Sequence, residues 1–465
     1  MSHPGKGSIV VPDRKSANYD VCVYGLGFVG LTLSVVLAES SLKVYGIDKD
    51  AKIIEDLKLG IPHFFEPELP QLLSLHIGDN LQVSASDEGV SAKVHVIAVG
   101  TPIDSNHKPI LDSLIKASES VAKNLKAEDL VIVRSTVFVG ATRTLIKPIL
   151  DSAMVPYSLA FCPERTLEGK AIEELRLLPQ VCSGLNALDL EKAKKFFTLY
   201  NSQVSSVSSL ETAEFIKLID NTYRDVTFGF ANEIERIGLA HSLNPYEAIR
   251  VANSNYDRTN IPLPGPVGGP CLSKDPFILG HNLDALGIDF SSTITYAARM
   301  SNESYIETAI STVKLILKSI KDPESNRSIL ILGAAFKGSP QTNDVRNSLP
   351  LSVAKKLLTG KIVKNVYVYD NTVNQSDIEA LGFIYLADRD INACNFQICL
   401  LGHTETHVQT ALQRVLKSSE ANKSDATYVT FWASKSSILE PIFNEVKGAT
   451  VMSIYSRSLI THAQI

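Results

Sequence analysis

From Tyr19 the chain alternates short, β-branched apolar runs with stretches of helical periodicity, and this order constrains its fold more than any other feature of its 465 residues. The runs DVCVYG (20–25), LKVYGID (42–48), VHVIAVG (94–100), LVIVRS (130–135), SLAFCPE (158–164) and QVCSG (180–184) read as strands. Between them lie helices reaching Ala38 and Leu59, one from about Leu114 to Leu125, and one after Ser135. Such an order predicts a parallel sheet with helices on both faces. From about Leu210 to Ile320 the strand signal vanishes, and Ser209 to Ala240 carries apolar residues at the three- and four-residue spacing of a long helix. After the polar stretch KDPESNRS (321–328), β-type runs return as SILILGAAF (328–336), NVYVYD (365–370), FQICLLG (396–402) and TYVTFW (427–432). The expected organisation is a disordered tail over 1–18, an α/β domain over 19–208, a helical domain over 209–320 and a second α/β domain over 321–465.

Hydrophobic residues make up 45% of the chain and charged residues 20%, within ordinary globular usage, which excludes a collagen, a disulfide scaffold or a wholly disordered chain. A net charge of -5 with no long lysine and arginine run argues against a nucleic-acid partner and points to small molecules. No stretch approaches the length of a membrane span, and Ile9, Val10 and Val11 are too few for a signal-peptide core, so no membrane partner and a soluble, cytoplasmic protein are expected. The six cysteines are widely spread, and the one close pair, Cys394 and Cys399, lacks metal-ligand spacing. Reduced thiols and no metal site are therefore expected, with Cys22 and Cys399 buried in apolar strands.

Gly25-Leu26-Gly27-Phe28-Val29-Gly30 follows the first strand and opens a helix, the context in which GxGxxG lets the backbone approach a pyrophosphate at a helix N-terminus. Asp48 ends the next strand 18 residues after Gly30, close to the ~20 at which an acid reaches the adenosine ribose. It would accept from both ribose hydroxyls and repel a 2′-phosphate, so NAD is expected rather than NADP. The fold class expected is α/β, two Rossmann-like doubly wound parallel-sheet domains joined by a helical middle domain. Gly100-Thr101-Pro102 and Ser135-Thr136-Val137 end later strands, at the sheet edge where ligands bind. Alone, they also read as plain turns.

Cys271 stands at the end of the Gly/Pro-rich loop PGPVGGP (264–270), where a helix is expected to start. A helix N-terminus and Lys274 would both lower the thiol pKa and supply a thiolate nucleophile, although a packed structural thiol is the other reading. Lys217, Asn221 and Arg224 fall at i, i+4 and i+7, on one face of the long helix, as a polar stripe suited to an oxyanion or a sugar hydroxyl, or as a solvated face. Glu164, Arg165 and Glu168 follow a strand, where one carboxylate could steer water as a general base or the three could form a charged loop.

Together these residues resemble the UDP-glucose/GDP-mannose dehydrogenase family, NAD-dependent enzymes that oxidise the C6 alcohol of a nucleotide sugar to a carboxylate in two steps. GLGFVG, VGTP, STVFVG, CPERTLEG, KLIDNTYRD, GGPCLSKD and AFKGSPQTNDVRNS carry the resemblance in order along the chain. It implies Cys271 as the nucleophile that captures the aldehyde, Lys217 with Asn221 at the oxyanion, and Glu164 or Glu168 with Asp275 and Thr136 positioning water. It implies that the C-terminal domain holds the UDP half, with Lys337 on the substrate and Arg346 on the cofactor. Arg258 would reach across a homodimer, or a higher homo-oligomer, to the neighbour's sugar site. Gly268, Arg165 and Arg224 complete the implied substrate contacts.

CPER followed by NTYRD is similar to the N-acetylhexosamine branch of that family, whereas Pro270 replaces a frequent histidine and CLSKD keeps a lysine more typical of the glucose enzymes. The reaction expected is four-electron oxidation of a UDP-N-acetylhexosamine through a thiohemiacetal and a thioester, supplying a polysaccharide precursor, with UDP-glucose as the alternative substrate. A two-electron hydroxyacid dehydrogenase of the 6-phosphogluconate type is a second alternative, but needs neither the cysteine nor a second α/β domain. A non-enzymatic NAD-sensing protein is the third.

Overall fold

The computed structural model describes residues 18–319, 327–392, 394–403, 405–422, 427–430, 442 and 450–453. The expected tail through residue 17, Ile320 at the end of the expected helical domain, linker residues 321–326, and Phe431 and Trp432 of the last expected strand lie outside the described residues. The chain divides into two compact units, Met1–Ile219 and Asp220–Ile465, and the division falls inside one long helix.

The first unit runs β1 (Tyr19–Tyr24), α1 (Phe28–Glu39), β2 (Val44–Ile47), α2 (Ala51–Lys58), α3 (Leu69–His76), β3 (Leu81–Ser84), β4 (Ala92–Ile97), α4 (Asp112–Asn124), β5 (Leu130–Val133), α5 (Lys147–Asp151), β6 (Ser158–Phe161), α6 (Ala171–Leu177), β7 (Gln180–Cys182), α7 (Ala187–Phe197), β8 (Val204–Ser206) and the start of α8 (Leu210–Ala240). Its six-stranded sheet has the order β3-β2-β1-β4-β5-β6 with every neighbouring pair parallel. Successive residues of β1 point to opposite faces, so Val21 and Val23 enter one apolar cluster with α1, while Cys22 and Tyr24 enter another with Leu114 and Val121 of α4. Covered on both faces, β5 and β6 are wholly buried, β5 as an unbroken apolar run and β6 as one after Ser158. The QVCSG run forms β7 as expected, but β7 pairs with β8 in a separate two-stranded sheet.

The second unit continues α8 through α9 (Pro245–Ala252), α10 (Asp275–Leu279) and α11 (Ile294–Ser319), with no strand among the described residues of this stretch. It then runs β9 (Ser328–Leu332), α12 (Leu349–Thr359), β10 (Asn365–Tyr369), α13 (Gln375–Ala380), β11 (Ile384–Tyr385), β12 (Ile398–Leu401), α14 (Thr406–Asn422), β13 (Thr427–Thr430) and β14 (Thr450–Ser453). The order β11-β10-β9-β12-β13-β14, again all parallel, repeats that of the first sheet. The central strand repeats the alternation too: Ile329 and Ile331 join one cluster, Leu330 and Leu332 the other. Among the described residues no helix is long and apolar enough to cross a membrane.

Candidate active site

In the first unit, the turn after β1 is set by two glycines. Gly25 has a φ of +94°, and a Cβ added at Gly30 would lie 1.8 Å from the Gly25 carbonyl oxygen, so α1 approaches the turn this closely only with glycine there. No side chain caps α1 at Gly27, which leaves its first-turn N–H groups and the helix dipole suited to an anion. Asp48, just past β2, accepts from the Leu26 N–H at 2.8 Å and from the Asp50 N–H at 3.0 Å. A carboxylate has about four lone-pair sites, so Asp48 retains capacity for ribose hydroxyls. Half-buried Phe28 packs on Phe64 at 5.3 Å, and Val29 packs against the core beside it. The loops after β4 and β5 are tied together: Thr101 Oγ1 donates to the Thr136 carbonyl at 2.5 Å, and Ser135 Oγ to the Val99 carbonyl at 2.7 Å. Gly100 is exposed between them. These residues all follow the C-terminal ends of parallel strands, where this architecture binds nucleotides, and their glycine cradle, helix terminus and carboxylate fit NAD.

Glu164 follows β6, and its ion pair is with Arg134, 30 residues away. Arg134, 2% exposed, forms a buried ion pair with Glu164, bonds Gln180 and stacks over Phe197 at 5.2 Å. The other Glu164 oxygen accepts the Arg165 and Thr166 N–H groups at 2.7 and 2.9 Å. Burial pushes the Glu164 carboxyl up, but the Arg134 charge and the Thr166 N–H outweigh it and hold it below the ordinary range, with Lys217 contributing to the same end. Arg165 turns instead to the Pro179 carbonyl at 2.8 Å. Buried Glu66 accepts the Gly169 and Ala171 N–H groups, both at 2.7 Å, and Glu174 accepts that of Leu167 at 2.7 Å. Three carboxylates thus fix the loop that carries half-buried Glu168.

In the second unit, the helix expected to open at Cys271 begins only at Asp275 and is five residues long. Cys271 lies in the turn before it, exposed, with its carbonyl accepting the Lys274 and Asp275 N–H groups. Lys274 Nζ is bound to Asp275 at 2.6 Å, so its charge is shared with that carboxylate rather than directed at the thiol alone. The second Asp275 oxygen accepts from Asn221 Nδ2 at 2.6 Å, making wholly buried Asp275 the group that orients Asn221.

A buried network holds the Cys271 loop at both ends. Asn232 Oδ1 accepts the Gly265 N–H at 2.9 Å, and Arg299 donates to the Leu272 carbonyl at 2.9 Å. Arg299 pairs with Asp225 at 2.5 Å, and Asn302 links Asp225 to Asn232. Between the anchors, Gly268 and Gly269 pass so close to Asn347 and Phe336 that a Cβ on either would lie within 2.7 Å of them. Lys337 Nζ stands 5.4 Å from the Phe336 ring, and Asn347 donates to Ser273 Oγ at 3.0 Å, so the AFKGSPQTNDVRNS segment packs on the cysteine loop. Arg346 pairs with Asp344 and is largely exposed. Arg224 is exposed on α8, and exposed Arg258 lies over the Tyr256 ring at 4.7 Å. Arg134, Glu66, Asp225, Asn232, Arg299 and Asn302 escaped the sequence reading. Arg134 alone carried a signal, a charge ending the apolar strand run LVIVRS, which burial requires to be paired.

Residues 19–202 match the NAD binding domain of the UDP-glucose/GDP-mannose dehydrogenase family, and residues 211–304 match that family's central domain. The UDP-N-acetyl-D-mannosamine dehydrogenase of Yersinia pestis is 30% identical over 79% of this chain and 89% of its own. That of Campylobacter jejuni is 32% identical over 72% of this chain and 83% of its own. The solved structure of the UDP-D-ManNAc dehydrogenase from Pyrococcus horikoshii superposes with a TM-score of 0.76 at 27% identity, covering 94% of this chain and 99% of that one. On this family match and these relatives, together with the glycine turn and Asp48, the chain belongs to the UDP-glucose/GDP-mannose dehydrogenase family and is an NAD-dependent nucleotide-sugar dehydrogenase.

Proposed function

We propose that the chain oxidises the C6 alcohol of a UDP-N-acetylhexosamine, UDP-N-acetylmannosamine first, to the uronate through a covalent intermediate on Cys271. The observation that carries this reading is the cysteine loop, an exposed thiol on a backbone pinned at Gly265 and Leu272 by buried side chains. NAD held at the glycine turn after β1 would supply the hydride acceptor, one molecule for each of the two oxidations. After the first, the Cys271 thiolate adds to the C6 aldehyde; the C–S bond forms and the carbonyl electron pair becomes an oxyanion. Lys217 and Asn221, one turn apart on α8, are the donors for that charge, and such preorganised donors are each worth about 2.7–4 kcal/mol. Loss of the second hydride turns the thiohemiacetal into a thioester. Water positioned by Glu164 or Glu168, with Thr136, cleaves it to the acid and restores the thiol. Arg134 keeps Glu164 ionised, the form able to accept a proton from that water.

The mannosamine relatives, with Arg165 and Arg224 as donors to an acetamido carbonyl, support the N-acetylated substrate. A site that hydrogen-bonds a group rejects the analogue lacking it by about 10⁴-fold. NADH absorbance measured with a panel of UDP-hexoses tests this. Oxidation of UDP-glucose with none of UDP-N-acetylmannosamine or UDP-N-acetylglucosamine would assign the chain to the glucose alternative.

Self-association fits the same reading. Phe215, Ile219, Tyr223, Phe230 and Ile237 are 38–66% exposed and follow one another by four, four, seven and seven residues, a single apolar face of α8. Light scattering should report a dimer that Tyr223→Glu with Phe230→Glu dissociates; a wild-type monomer would remove this part of the proposal, and with it any role for Arg258 across a dimer.

A further inference from the structure

Three side chains outside the machinery described above converge at the C-terminal end of the second sheet. Asp370 follows β10, His403 follows β12, and His407 lies in the first turn of α14. Their side chains are 0%, 3% and 14% exposed. His403 Nε2 is 3.6 Å from one Asp370 oxygen and His407 Nε2 is 4.0 Å from the other, and a ligand atom from each residue lies within 4.8 Å of the other two. Both separations exceed hydrogen-bond length. His407 Nε2 is buried with no hydrogen-bond partner among the described residues, an arrangement that costs free energy unless something else binds the nitrogen.

The same spacing is close to that of ligands around a common cation. Two donors each about 2.0–2.2 Å from a tetrahedral zinc stand roughly 3.4 Å apart, so small side-chain adjustments bring this set into range. The carboxylate is oriented from behind, with Thr372 Oγ1 and the Thr372 N–H donating to Oδ1 at 2.6 and 2.9 Å and the Ala334 N–H to Oδ2 at 2.7 Å, the kind of support that tunes metal ligands, while the longer contacts from Val373 and Ala335, both 3.3 Å, are those a cation would replace.

We propose that Asp370, His403 and His407 bind one divalent first-row transition-metal ion, zinc by preference, with a fourth position for water. Two imidazoles and a carboxylate are borderline ligands that favour zinc over calcium or magnesium. The ion ties β10, β12 and α14 together and leaves the NAD loop of the first sheet untouched.

Calorimetric titration of the EDTA-stripped full chain with zinc should give one site per chain. His407→Ala should weaken it by more than a hundredfold with NAD affinity unchanged, and Thr372→Val by about 10–100-fold. Cobalt loading separates this site from the exposed Cys271 thiol, because a thiolate ligand adds an intense charge-transfer band that a nitrogen and oxygen set lacks. Absence of saturable binding, wild-type affinity in His407→Ala or His403→Ala, or a thiolate band in the cobalt spectrum would each overturn the proposal.

Discussion

The two sheets share one strand order and one alternation of core residues, yet the ends of their equivalent strands differ. After β1 only Gly25, Leu26 and Gly27 precede α1, so a helix N-terminus stands over the sheet edge; after β9, sixteen residues, 333–348, precede α12. The tight backbone approach also moves. In the first sheet it joins the turn to its own helix at Gly30, whereas in the second a Cβ at Gly402 would lie 2.0 Å from the Gly333 carbonyl oxygen, closing β12 against β9. The acid at the end of the second strand follows suit. Asp48 accepts two backbone N–H groups, whereas Asp370 is buried, accepts from Ala334, Ala335, Thr372 and Val373, and faces His403. Shared topology therefore does not carry dinucleotide binding; the length of the first crossover and the exposure of one carboxylate do.

The largest expected effect separates the two glycine turns. Gly30→Ala should raise the NAD dissociation constant about 1000-fold, ~4 kcal/mol, because its Cβ meets a backbone oxygen that cannot move away. Gly333→Ala, at a φ of +86°, should lower the melting temperature and leave NAD affinity within about twofold. Equal loss of NAD affinity in both, measured by calorimetry, would break the comparison.

Next in size is the buried pair of Arg134 and Glu164, which follow β5 and β6 of the first sheet, whereas the buried acid of the second, Asp370, follows its second strand and faces a histidine. Glu164→Gln leaves Arg134 buried without its counter-charge and should cost about 3 kcal/mol in urea unfolding at neutral pH. The folded Glu164 pKa lies below its ordinary 4.5, so the pair's contribution is complete above that value and is lost as the pH falls through the folded pKa. The gap between wild type and variant should therefore close in acid; a gap constant from pH 7 to pH 3 would mean that packing, not charge, is responsible.

Smallest is Asp48→Asn. Losing the charge beside the ribose should weaken NAD about tenfold, ~1.4 kcal/mol, and narrow the preference over NADP. An unchanged ratio of the two cofactors in steady-state assays would remove Asp48 from cofactor selection.

The elements legible in the sequence are those whose signal is local. GLGFVG and the distance to Asp48 locate the nucleotide turn, the spacing from Ser209 to Ala240 predicts α8, and the small stiff residues before Cys271 mark its loop. Strands β3, β8, β11 and β14 escaped because LQVS, VSS, IY and TVMS are short and also lack the unbroken apolar run that marks the equally short β5 and β12, LVIV and ICLL. The supports of the site escaped for another reason. Arg134 and Glu164 are 30 residues apart and Arg299 and Asp225 are 74 apart, so nothing in either neighbourhood announces the partner. Asp370 and His403 likewise follow different strands, so the cysteine spacing from which no metal site was expected carries no sign of them.

The central claim is four-electron oxidation through Cys271, and counting NADH released per sugar under single-substrate limitation tests it most directly. The wild-type chain should release two NADH for each UDP-sugar consumed, and Cys271→Ser, whose alkoxide is scarce at neutral pH, should lose steady-state turnover by orders of magnitude. One NADH per sugar, or wild-type turnover by Cys271→Ser, would contradict the covalent route and favour a two-electron dehydrogenase.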